Sequence, residues 1–89
     1  MKADGTMKYS LSEHAQEAIV KRRIAPEWVE RALVSPEKKE QDKVDPDLEH
    51  RLLPVPEFGG RVLRVVVNVS GAEPRVVTAY FDRGRKRRK

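Results

Sequence analysis

The sequence predicts an α+β domain, two N-terminal helices packed on a three- to four-stranded antiparallel sheet. Three observations predict it. Apolar residues recur at helical spacing over the first third of the chain. Short runs rich in valine and leucine fill the second half. Pro and Gly clusters separate those runs at hairpin distances.

The 89 residues divide into a flexible N-terminus (1–8), a single domain (9–82) and a basic tail (83–89). Ser10 stands three residues before Glu13, the spacing of a capping box, and Ser12 offers a second cap. Leu11, Ala15, Ala18, Ile19 and Ile24 then mark one face of a helix ending near Arg22 or Arg23. Pro26 opens a second helix, where its missing N–H costs nothing. Trp28, Val29, Ala32 and Leu33 give that helix its apolar stripe, and Ser35-Pro36 stops it.

Residues 37–47 are nearly all polar and read as a loop with room for a short edge strand. Glu49–Val55 reads as a strand, and Phe58-Gly59-Gly60 as a turn. Arg61–Val69 is the strongest strand. Leu63, Val65 and Val67 point one way, and Val62, Arg64, Val66 and Asn68 the other, so it belongs in the middle of the sheet. Ser70–Pro74 makes a hairpin loop, and Arg75–Phe81 returns antiparallel with Val76, Thr78 and Tyr80 on one face.

The composition narrows the chemistry. No cysteine is present, so disulfides, thiolate zinc and cysteine nucleophiles are excluded. Two histidines do not make a nitrogen-ligated metal site, and no cofactor motif occurs. The apolar runs are far too short to span a bilayer, so no membrane partner and a cytoplasmic location are expected. The net charge of +5 sits in residues 81–89, where six basic side chains accompany one acid. Such an end suits a polyanion, and it equally suits a solvated terminus.

The groups left for chemistry fit RNA cleavage by its own 2′-hydroxyl. That reaction needs proton transfer and cations around the phosphorane, but no metal. His14, His50 and Tyr80 are the candidates for proton transfer or base orientation. Arg22, Arg64, Arg83, Arg85, Arg87 and Arg88 are the candidates for holding phosphate. Each has a plainer reading. His14 can order a helix start, Arg22 can complement a helix C-terminus, and His50 can sit on a solvated strand face. Arg64 interrupts an apolar strand, so it needs a partner or an opening to water. Trp28 reads as core.

Ser12-Glu13-His14-Ala15, Arg22-Arg23-Ile24, Trp28-Val29, Val62–Val66 and Val76–Asp82 together resemble the small bacterial domain-of-unknown-function family 4258. That family is similar to toxins of the BrnT and RelE/ParE type. The resemblance spans residues 9–83 and implies a RelE-like fold. It also implies a metal-independent endoribonuclease whose partners are RNA, including ribosome-associated mRNA, and an acidic antitoxin. A non-catalytic RNA-binding or protein-interaction module using the basic tail is the alternative. Two positions depart from the family pattern: Ala18 stands where an arginine is frequent, and Arg23 where a glycine is usual. The analogy with RelE-like ribonucleases points to Arg64, Tyr80, Arg83 and Arg85.

Overall fold

Ser12, not Ser10, starts the first helix: its Oγ accepts from the Ala15 N–H at 3.0 Å and donates to the Val77 carbonyl at 3.2 Å. One side chain thus caps a helix and ties it to the last strand. The structure, a computed structural model, describes residues 8–86. In chain order they form β1 (Ser10–Leu11), α1 (Glu13–Lys21), α2 (Pro26–Val34), β2 (Lys38–Gln41), β3 (Leu48–Val55), a 3₁₀ turn (Pro56–Phe58), β4 (Arg61–Asn68) and β5 (Arg75–Lys86). The expected flexible N-terminus falls almost wholly outside the described residues.

Helix α1 ends in a Schellman motif. The Ile24 N–H reaches the Ile19 carbonyl at 2.9 Å and the Arg23 N–H reaches that of Val20 at 3.2 Å. Arg23 closes it with φ 57°, in the left-handed region that glycine occupies without strain. Pro26 stands at the start of α2 as its chemistry requires.

The strands make one five-stranded sheet in the order β1-β5-β4-β3-β2. Four strands, β2 to β5, pair antiparallel, the upper end of the expected three or four, and a fifth corrects the count. β2 is a true edge strand, pairing antiparallel with β3. β1 pairs parallel with β5 at Ser10–Arg75 and Leu11–Val76, so the sheet is mixed. β1, two residues long, has no apolar alternation to announce it, whereas β2, reading Lys-Lys-Glu-Gln, falls where residues 37–47 left room for an edge strand.

Both helices cover one face of the sheet, α1 against β5 and α2 against β3 and β4. Ala15, Ile19, Val29 and Leu33 meet Leu53, Val55, Leu63, Val65, Val67 and Ala79 there, all buried. Deleting a side chain such as Leu63 would cost about 2–5 kcal/mol. Val76 also joins this core, against the expectation that it shares a face with Thr78 and Tyr80. The cause is a shift of register: Val66 faces Thr78 while Val67 faces Val76, leaving Val77 as a bulge that turns Val76 inward. A second and larger shift lies at the far end, where Val62 faces Asp82 but Arg61 faces Lys86. No helix among the described residues is long and apolar enough to cross a membrane.

Candidate functional site

On the face away from the helices, four side chains join hands across the sheet. Asp42, just after β2, meets His50 of β3 at 2.7 Å between Oδ1 and Nε2. His50 Nδ1 lies 2.6 Å from an Arg64 terminal nitrogen on β4. Arg64 then donates from Nε at 3.0 Å and from its other terminal nitrogen at 2.7 Å to Asp82 Oδ2 on β5. Glu40 Oε1 stands 3.6 Å from Arg64. The Arg64 side chain is only 12% exposed, so these partners answer the need for charge compensation.

This chain fixes the state of His50. Arginine can only donate, so Nδ1 must accept, and the ring proton belongs on Nε2, where Asp42 accepts it. Both ring nitrogens are occupied. The Asp42 carboxyl is pulled down to about 2 by the Asp45 backbone N–H, then by His50 and the Val44 N–H. Asp42 thus remains a carboxylate wherever the protein is folded at ordinary pH.

The second assembly surrounds the C-terminal end of β5. Arg22, Phe58, Arg61, Tyr80, Phe81 and Arg83 line a cleft of about 300 Å³. An adjoining hollow of about 300 Å³ shares Arg61, Phe81 and Arg83 and adds Asp82. The register shift after Asp82 creates this space, because β5 swings away from β4 there. Behind it stands an aromatic cluster. The Phe58 and Phe81 centroids are 4.7 Å apart, and Trp28 lies 5.8 Å and 6.0 Å from them. Trp28 thus packs on the core and buttresses the cleft.

Two cations of the cleft are held by something other than a carboxylate. Arg22 donates to the Ala79 carbonyl at 3.2 Å, sealing a backbone group on the open edge of β5. Arg61 lies over the Phe58 ring at 5.1 Å. No ion pair among the described residues involves Arg22, Arg61 or Arg83. Phe58 is presented by the Pro56–Phe58 turn and by Gly59 and Gly60, both at positive φ. The Arg31–Glu57 pair ties that turn to α2 at 3.0 Å.

The structure separates the residues expected to work together. His14 is exposed on α1, on the helical side of the sheet, and His50 is on the other side, so the two do not form an acid–base pair. Arg22, Tyr80 and Arg83 do meet, at the cleft. Arg64 does not line it, but it stands opposite Tyr80 in the β4–β5 register and binds Asp82 of the adjoining hollow. Arg85 lies in β5, and Arg87 and Arg88 lie outside the described residues. Sequence reasoning missed Phe58, Arg61, Asp42 and Asp82. Arg61 carried one signal, a cation at the mouth of an apolar strand directly after Gly59-Gly60. Among the described residues no group of three or more acidic or histidine side chains is placed to hold a metal ion.

A family model, the domain of unknown function DUF4258, matches residues 11–81. No curated protein and no solved structure matches the chain. The matched span runs from Leu11, the last residue of β1, to Phe81 in β5, with Arg61 and Tyr80 inside it and Asp82 and Arg83 just beyond.

Proposed function

From the family of the domain of unknown function DUF4258, to which this chain belongs, we propose a cytoplasmic RNA-binding protein of RelE/BrnT toxin type. One observation carries the reading: three guanidinium groups, without carboxylate partners among the described residues, converge on an aromatic cleft. Guanidinium forks match phosphate oxygens, and aromatic and guanidinium planes stack on bases. The cleft has room for one unstacked nucleotide, which favours single-stranded RNA over a duplex. An acidic antitoxin would compete for the same uncompensated cations. Two helices on one face of a small sheet accord with a RelE-like fold.

Tyr80 supports a second reading, metal-independent cleavage, because it opens onto the cleft that holds the three arginines. The RNA 2′-oxygen would bond to phosphorus while the bond to the 5′-oxygen breaks. The products are a 2′,3′-cyclic phosphate and a 5′-hydroxyl. The proton leaving the 2′-hydroxyl would pass to solvent water, the Tyr80 hydroxyl would protonate the departing 5′-oxygen and regain its proton from water, and Arg22, Arg61 and Arg83 would stabilise charge on the phosphorane. His50 is unsuited to the proton steps, since both its nitrogens are engaged. His14 stands apart on α1.

Incubation with mixed-sequence RNA in EDTA at low salt tests both readings. The expected result is a gel shift that Arg61→Ala/Arg83→Ala weakens. Cleavage that Tyr80→Phe removes while the shift persists would establish the enzyme. No shift with the intact protein would overturn the RNA reading.

A further inference from the structure

We infer that His50 is a positioning residue for the cleft, acting from the far side of the sheet through Arg64 and Asp82. The inference rests on the RNA-binding reading only for its functional consequence. The side chains form one rung across four successive levels: Asp42 beyond β2, His50 on β3, Arg64 on β4 and Asp82 on β5. Asp82 is the last residue of β5 in register before the strand swings out, with Val62 opposite Asp82 but Arg61 opposite Lys86. The grip of Arg64 on Asp82 therefore falls at the hinge of the bulge. The next residue is Arg83, a cleft cation, and Asp82 itself lines the adjoining hollow.

Each link depends on the one before it. Arg64 has rotatable bonds enough to leave Asp82, and its geometry is held by bonds on both sides. His50 Nδ1 occupies one terminal nitrogen, so the remaining edge of the guanidinium faces Asp82. His50 can accept there only while Nε2 keeps the proton, and Asp42 Oδ1 enforces that tautomer. Asp42 is anchored in turn, because its Oδ2 accepts the N–H groups of Val44 at 3.1 Å and Asp45 at 2.9 Å. Among the described residues, no hydrogen bond or ion pair joins Asp42 or His50 to a residue lining the Arg22–Arg83 cleft.

The relay makes an unusual demand on Asp42→Asn. An asparagine that keeps its oxygen on the Val44–Asp45 turn presents its NH₂ to His50 Nε2. The ring proton must then move to Nδ1, where it faces an Arg64 donor. By contrast, His50→Gln can still accept from Arg64 and donate to Asp42. His50→Phe can do neither.

The test measures amide hydrogen exchange along β5 and binding to a single-stranded RNA 10-mer for these three variants and for Arg61→Ala/Arg83→Ala. We expect His50→Phe and Asp42→Asn to speed exchange across residues 82–86 while β3 and β4 stay protected. They should weaken RNA binding about fivefold, a magnitude typical of indirect coupling. His50→Gln should behave as wild type in both assays. Unchanged exchange at residues 82–86 in both His50→Phe and Asp42→Asn would overturn the inference whatever the RNA does. Faster exchange in those variants, with RNA binding untouched by Arg61→Ala/Arg83→Ala, would keep the positioning role and discard the cleft as the RNA site.

Discussion

Arg64 and Arg83 stand on neighbouring strands, yet they live in opposite electrostatic worlds. Arg64 is nearly buried and spends every edge of its guanidinium on Asp82, His50 and Glu40. Arg83 is exposed, in a cleft where Arg22 and Arg61 are equally without carboxylate partners among the described residues. The same side chain is thus a structural strut in one place and a candidate phosphate ligand in the other. Neighbours decide which: the flat, in-register part of the sheet supplies partners, and the bulged end of β5 withholds them. A buried charge without partners would be costly, whereas an exposed one remains available to a polyanion.

The largest expected effect breaks the strut. Arg64→Met should destabilise the fold by about 3 kcal/mol, because it removes the charged hydrogen bonds that Arg64 gives to the Asp82 carboxylate and the His50 ring in a largely buried setting. Urea unfolding with an unchanged m-value would verify this. The matching change in the cleft should act on binding instead. Arg61→Ala/Arg83→Ala should leave the unfolding free energy within about 0.5 kcal/mol of wild type. It should lower the slope of log affinity against log salt by about 1.4, two single-stranded phosphate contacts' worth. A titration over several salt concentrations reads that slope.

Acid sharpens the comparison on the strut's side. Asp42 is depressed from 3.8 to about 2 in the folded chain. Its stabilising contribution is therefore complete above the ordinary carboxylate value and is lost as pH falls from about 4 towards 2. The stability gap between wild type and Asp42→Asn should be flat from pH 5 upward and close over that acid window. Equilibrium unfolding at a series of pH values gives the curve. The smallest effect lies away from both regions. Arg23→Gly should raise stability by about 0.5 kcal/mol, the relief of a left-handed φ offset by the greater freedom of glycine when unfolded. Thermal unfolding would detect it.

Much of the architecture was legible because local chemistry and tertiary packing agreed. Pro26, Ser35-Pro36 and the stripe through Val29 and Leu33 specify α2 without help from the rest of the chain. The two-sided apolar run of β4 identifies a central strand. β1 was not legible as a sheet strand, since two residues carry no period and its partner is more than sixty positions away. The bulge at Val77 also defeated alternation: it puts Val76 in the core although strict period-two counting sends it outward with Tyr80. The site divides in the same way. Arg22, Tyr80 and Arg83 were found by residue type and by resemblance. Phe58 and Arg61 were not, because only the Gly59-Gly60 turn and the register shift beyond Asp82 bring them to the cleft. Nor does the sequence reveal that His50 is spoken for on both sides. Asp42 comes to it over a loop, and Arg64 across the sheet.

The central claim is that the cations at the bulged end of β5, not those within the sheet, meet RNA. The most direct measurement is a backbone amide NMR titration of the full chain with a single-stranded RNA 10-mer at low salt. The account predicts shifts concentrated at Arg22, Phe58–Arg61 and Tyr80–Arg83, with residues 38–44 and His50 little changed. Shifts centred on residues 38–44 and His50, or a spectrum unmoved by RNA, would contradict it.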